Sequence, residues 1–161
     1  RLFGKKEFLF NKSLNTEKFS MIPMHNKADV KSWLNRAKDD FRYAQSGIEG
    51  GFYPQSCFIS QQVAEKALKA LIYSKESKFE AQELKKLRTH KLLLLLKKIE
   101  SEGIKIPESI KSSSKILNRY YLPTRYPDIP DPVKNYTEEI AKDALEKAEK
   151  VIDFVETQLK K

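Results

Sequence analysis

Residues 57–71 read CFISQQVAEKALKAL and predict one long helix that packs closely against others. Three small residues within it, Ala64, Ala67 and Ala70, would let a second helix approach. The apolar side chains recur at helical spacing and form a broad stripe. That stripe consists of Phe58, Ile59, Val63, Ala67, Ala70 and Leu71. Because proline is tolerated in a first turn, the helix is predicted to begin at about Pro54 and to reach Tyr73.

Four other segments carry the same helical period. The five predicted helices span about residues 28–47, 54–73, 81 or 90 to 101, 107–121, and 137 to the C-terminal region. Gly47, Gly50 and Gly51 are expected to break the first, and Thr137 is a favourable N-cap for the last. No β-branched runs indicate a sheet. Five amphipathic helices with short links therefore predict an all-α, up-and-down bundle.

Composition limits the class of protein further. The chain has 161 residues, of which 40% are hydrophobic and 33% charged, as in a compact helix-rich domain and unlike a disordered chain. No apolar run approaches the roughly 18–20 residues of a membrane helix. The lone Cys57 excludes an intramolecular disulfide and is expected to be a buried structural thiol. We therefore expect a reducing, cytoplasmic setting.

Charge divides the chain into two regions. Residues 1–27 carry six basic and two acidic side chains together with Phe3, Phe8, Phe10 and Phe19, without a persistent period. We predict that residues 1–27 are a basic-aromatic N-terminal extension or leader, and that residues 28–161 form the helical domain. An alternative is that the extension packs on a partner. The rest of the chain is mildly basic, which is compatible with phosphate-bearing partners.

Four landmarks in order resemble the HEPN (higher eukaryotes and prokaryotes nucleotide-binding) domain family. They are WLNRAKDDFRY at 33–43, GFY at 51–53 with the quoted run after it, THKL at 89–92, and YLPTRYPD at 121–128. The resemblance covers roughly residues 28–158. It implies a dimeric helical bundle, often encoded beside or fused to a minimal nucleotidyltransferase. Some members are RNases in toxin–antitoxin or defence systems.

The RNase members carry an Arg, four to six residues and then a His. Here the histidines are His25 and His90, and neither follows an Arg at that spacing, since Arg88 lies only two residues before His90. The sequence therefore predicts no catalytic residue and favours binding over catalysis. A metal-independent RNase that uses His90 with Arg119 or Arg125 remains an alternative.

The candidate ligand site centres on residues 119–128. The planar guanidinium group of arginine can donate two hydrogen bonds to a phosphate group, and tyrosine rings offer faces on which a base can stack. The predicted nucleotide- or phosphate-binding residues are Arg119, Tyr121, Arg125, Tyr126, Asp128, Lys66, Lys69 and His90. In the competing interpretation, Arg125 and Asp128 lock the loop, His90 is structural, and the two lysines lie on a solvated helix surface. No cofactor and no metal site is predicted.

Five consecutive leucines, residues 92–96, cover all sides of a helical turn. One bundle face can bury about three of them, so we expect a homodimer. The leading functional hypothesis is a non-catalytic, dimeric subunit that binds a nucleotide or RNA phosphate and acts with a minimal nucleotidyltransferase. The alternative is a pure protein-interaction subunit whose Arg/Tyr loop is structural.

Overall fold

Five α-helices account for most of the residues that the computed structural model describes, namely 27–75, 88–124, 126, 128–131, 133 and 135–161. They are α1 (Lys27–Glu49), α2 (Tyr53–Lys75), α3 (Leu92–Ser101), α4 (Glu108–Leu117) and α5 (Glu138–Leu159). A 3-10 turn, Asn118–Tyr120, follows α4. No strand occurs among the described residues, so the all-α prediction is confirmed.

Helix α2 lies at the centre of the bundle. It packs mainly against α1 and α5, and it also contacts α3 and α4. Ala64, Ala67 and Ala70 are completely buried, as expected of small residues where helix backbones approach closely. Val63, Leu68 and other α2 side chains join one continuous core with residues from α1, α3, α4 and α5. The polar side chains of the candidate site therefore project from the most enclosed helix of the molecule.

The helix ends follow local sequence signals with two exceptions. Gly51 and Gly103, both with φ of 80°, lie just beyond α1 and α3, where a left-handed residue can end a helix. Helix α1, however, continues through Gly47 to Glu49, so the predicted break at Gly47 is wrong. Helix α4 tightens to a 3-10 turn at Asn118 and does not run as an α-helix to residue 121.

The five consecutive leucines at 92–96 fall into a buried group and an exposed group, as expected for a helix with one buried face. Leu92, Leu95 and Leu96 are buried, whereas Leu93 and Leu94 remain 39% and 48% exposed. Residues 92, 95 and 96 share one side of a helix, while the two between them point away. None of the described helices is long and apolar enough to cross a membrane.

Candidate functional site

A buried carboxylate organises the polar interior of α2. Glu65 is only 4% exposed. Its Oε1 accepts a hydrogen bond from Lys69 Nζ at 2.7 Å, and its Oε2 accepts from Gln62 Nε2 at 3.2 Å and Gln61 Nε2 at 3.4 Å. The Nδ1 atom of His90 lies 3.2 Å from each Glu65 oxygen. A buried carboxylate needs such partners because losing hydration is costly.

Helical spacing explains how α2 contributes three members of this cluster. Gln61, Glu65 and Lys69 follow one another at four-residue intervals and therefore share a face. Gln61 Nε2 also donates to the backbone oxygen of His90 at 2.9 Å. Two side chains of α2 thus hold His90, one by its ring and one by its backbone.

The His90 ring lies at the surface end of the cluster. Its side chain is 45% exposed, in contrast to the 5% of Glu65. The imidazole stacks on Tyr121 with ring centroids 4.4 Å apart and an interplanar angle of 16°. Tyr121 in turn stacks on Phe58 at 6.0 Å, so three rings form a short stack that ends at the half-exposed histidine.

The 3-10 turn brings Tyr121 to this position. Asn118 Oδ1 accepts a hydrogen bond from the backbone nitrogen of Leu92 at 2.9 Å, which fastens the turn to the start of α3. Arg119 is exposed on the same turn. Of the predicted site residues, the structure therefore brings together His90, Tyr121 and Lys69, with Arg119 on the turn that carries Tyr121.

Lys69, a predicted ligand-binding residue, does not lie on a solvated helix surface as the competing interpretation expected. It is 6% exposed, and its ammonium group lies 5.7 Å from the centroid of the Trp33 ring. Trp33 itself contacts Tyr73 at 5.7 Å between ring centroids. Because the carboxylate of Glu65 neutralises this cation, Lys69 offers a ligand little net positive charge.

Lys66 also has a protein partner. Its ammonium group forms an ion pair with Asp40 of α1, and both side chains are about one-fifth exposed. This pair joins α1 to α2. Lys66 therefore lies on the side of α2 that faces α1, and its charge is neutralised by Asp40.

The remaining predicted residues follow the 3-10 turn. Tyr126 is 42% exposed, and its backbone nitrogen donates to Leu122 O at 3.0 Å. Asp128 is exposed and has no ion-pair partner among the described residues. Arg125 lies outside the described residues, as does His25, so the proposed lock between Arg125 and Asp128 stays a prediction.

Sequence analysis did not identify Glu65, Gln61 or Gln62 as candidate site residues. The available signal was their position within a helix that carries a broad apolar stripe, where polar residues at four-residue spacing require partners. Nothing in the sequence showed that one of those partners would be His90. Among the described residues, no group of three or more His, Cys, Asp or Glu side chains is placed to hold a metal ion.

Comparison with known proteins relates this fold to one family. A family model described as HEPN domain matches residues 30–158. Over 145 residues the chain is 28% identical to a Methanocaldococcus jannaschii protein named "Putative toxin MJ1304", covering 81% of this chain and 88% of that protein. The family match at residues 30–158 overlaps all five described helices.

Solved structures show the same similarity. TT1696 from Thermus thermophilus is 34% identical and superposes with a TM-score of 0.68. The alignment covers 80% of this chain and 97% of the TT1696 chain. ST0689, an archaeal HEPN homologue, is 29% identical, with coverages of 81% and 97% and a TM-score of 0.63. An HEPN domain protein from Thermotoga maritima, TM0613, is 27% identical, with coverages of 81% and 98% and a TM-score of 0.62.

Proposed function

This chain belongs to the HEPN domain family, and we propose that it is a non-catalytic, dimeric HEPN subunit that binds a phosphate group of a nucleotide or RNA at His90. We further propose that it acts with a minimal nucleotidyltransferase in a toxin–antitoxin pair. The name of the Methanocaldococcus jannaschii relative supports a toxin–antitoxin setting. The nucleotidyltransferase partner follows from the family resemblance, and co-purification of the two proteins after co-expression tests it.

The binding proposal depends on one observation: the imidazole of His90 is half exposed and is held in place by the buried carboxylate of Glu65. Glu65 engages Nδ1 of His90, and Tyr121 covers one ring face. The other ring nitrogen, Nε2, has no hydrogen-bond partner among the described residues. In the imidazolium form Nε2 donates a hydrogen bond, which suits a phosphate oxygen. A ring oriented in advance also loses less side-chain freedom when a ligand binds.

Calorimetric titration with ATP, GTP and a short single-stranded RNA tests this function. We expect binding to the wild-type protein, and at least about tenfold weaker binding to His90→Ala, which corresponds to about 1.4 kcal/mol. Tyr43→Ala is the control, because it removes an exposed aromatic side chain from α1. Absence of heat for all three ligands at millimolar concentration would refute the binding proposal, and would favour a pure interaction subunit if the partner still co-purifies.

A second function, RNA cleavage, is favoured by one feature of the same site. A carboxylate that orients an imidazole is a recurring arrangement for general acid–base chemistry. The RNase alternative pairs His90 with Arg119 or Arg125. Incubation of total RNA with metal-free protein separates the two functions. Cleavage that disappears in His90→Ala would establish an RNase, whereas binding without cleavage supports the subunit proposed above.

A further inference from the structure

A groove between α1 and α5 lies apart from the His90 cluster. Two cavities, of about 580 and 430 Å³, follow one another along it and share Phe41 and Glu149 as lining residues. Its apolar floor consists of Phe41, Ile48, Leu145 and Ile152. Helix α1 is amphipathic, and here it leaves part of its apolar side, including half-buried Phe41, facing an open surface.

The rim of this groove has the opposite charge to the chain as a whole. Six carboxylates and three cationic side chains line the two cavities, although the chain has a net charge of +9. The cations already have partners, since Lys38 pairs with Glu156, Arg42 with Asp39 and Lys142 with Glu138.

Five of the six rim carboxylates are exposed, and Asp39 and Glu146 among them are paired with Arg42 and Lys150. The other three exposed carboxylates are Glu49, Glu149 and Asp153. None of them has an ion-pair partner among the described residues. The groove therefore combines an apolar floor with unneutralised negative charge, which favours a segment that is both basic and apolar.

Residues 1–26 of the same chain have this composition. They contain five basic and two acidic side chains, and four of the nine phenylalanines of the protein. They lie outside the described residues and connect directly to α1 at Lys27. The groove begins at Asn35, eight residues along the same helix, or about 12 Å from that connection at the helical rise per residue. A 26-residue segment can span many times that distance.

We propose that residues 1–26 dock into the α1–α5 groove of their own chain. Phenylalanine side chains cover the apolar floor, and lysines face Glu49, Glu149 and Asp153. The short tether raises the effective concentration of the segment at the groove well above that of a separate partner. This interaction is independent of ligand binding at His90.

Hydrogen–deuterium exchange of the 161-residue protein, measured by mass spectrometry, tests the proposal. Amides in residues 1–26 are expected to exchange at least about tenfold more slowly than those of a synthetic peptide of the same sequence. The triple variant Glu49→Lys/Glu149→Lys/Asp153→Lys should return them to the rate of the peptide. A matched control, Glu100→Lys/Glu102→Lys/Glu108→Lys, reverses three charges on α3, α4 and the α3–α4 connection, and should retain the protection.

A second variant, Phe8→Ser/Phe10→Ser, should also remove the protection while leaving the bundle unchanged, so the test does not depend on the folding of the groove variant. Exchange of the wild-type segment at the rate of the free peptide would overturn the proposal. Equal loss of protection in the control variant would mean that overall charge, and not this groove, holds the segment. Protection that increases with protein concentration would mean that the segment docks on a second copy, which also contradicts docking within one chain.

Discussion

The carboxylate of Glu65 neutralises the buried ammonium group of Lys69 and contacts the ring of His90 at the surface. Substituting Glu65 therefore measures how much this cluster contributes to the stability of the protein. Glu65→Gln leaves Lys69 charged, 6% exposed and without its counter-ion. We expect the free energy of unfolding to fall by about 3–5 kcal/mol, because an uncompensated buried charge is costly. Urea denaturation followed by circular dichroism provides the measurement.

The matched control for this substitution is Glu146→Gln. Glu146 forms the same four-residue pair, with Lys150, but both side chains are more than half exposed. Its loss should change the free energy of unfolding by less than about 1 kcal/mol. Adding Lys69→Met to Glu65→Gln should recover part of the lost stability. A Glu65→Gln variant as stable as Glu146→Gln would contradict a buried charge cluster.

The raised pKa values of Cys57 and Tyr120 lead us to expect a loss of stability at alkaline pH. Burial, with smaller effects from Asp131 and Asp143, raises the pKa of Cys57 from 9.0 to about 12. Burial is also the largest cause that raises the pKa of Tyr120 from 10.0 to about 12. Above pH 9 the unfolded chain releases protons that the folded chain retains. The free energy of unfolding should therefore fall as pH rises from 9 to 11, with a limiting slope of about 1.4 kcal/mol per pH unit for each group.

Comparison of Cys57→Ala with the wild type isolates the contribution of the thiol. The variant lacks one of the groups whose pKa is raised by folding, so its stability should fall less steeply between pH 9 and 11. Each pH is measured by chemical denaturation under reducing conditions. Parallel stability curves for the two proteins would show that the thiol does not titrate differently in the folded state.

At the scale of helix packing, Gly47 of α1 lies directly against Ser56 of α2. A Cβ atom added at Gly47 would lie 2.5 Å from Ser56 Oγ, a distance too short for any real contact. The hydroxyl group of Ser56 is buried and has no hydrogen-bond partner among the described residues. This close approach explains why glycine occupies a position inside a helix, where it is otherwise unfavourable.

The two positions should therefore be energetically coupled. Gly47→Ala alone should destabilise the protein by about 1–2 kcal/mol, since overpacking outweighs the gain in helix propensity. In a Ser56→Ala background the same substitution should be neutral or stabilising by up to about 1 kcal/mol, because the obstructing oxygen is gone. Thermal unfolding of the four proteins gives the coupling energy. Additive effects would contradict a direct contact between these helices at this point.

At the scale of the whole molecule, we expect the exposed leucines to form the contact with a second copy. Leu93 and Leu94 lie on the outer side of α3, and Leu122 is 46% exposed. We expect the wild-type protein to sediment as a dimer at micromolar concentration. Leu93→Glu/Leu94→Glu should shift it to a monomer, because burying carboxylates in an apolar interface is unfavourable.

The control for the dimer is Lys160→Glu, which makes the same net change of charge at an exposed position at the end of α5. It should remain dimeric in the same sedimentation experiment. A monomeric wild-type protein at tens of micromolar would contradict the dimer prediction. Loss of the dimer in both variants would place its cause in net charge and not in the leucines.

Several properties of this protein follow from its sequence by itself. The helical period, the N-cap Thr137 and the glycines after α1 and α3 are local features, and they predicted the five helices and most of their ends. Thr137 caps α5 as expected, because its Oγ accepts a hydrogen bond from the backbone nitrogen of Ile140. The landmarks of the HEPN family are likewise short sequence runs.

Only the tertiary structure decided which polar residues meet. Glu65 and His90 are 25 residues apart in sequence and are joined by the packing of α2 against the segment before α3. The Lys69 ammonium group lies over the ring of Trp33 from α1, and Ser56 of α2 leaves no space for a side chain at Gly47. These contacts depend on how separate helices pack against one another. A period read along one helix shows which side is apolar, but it does not show which residue of another helix will lie opposite.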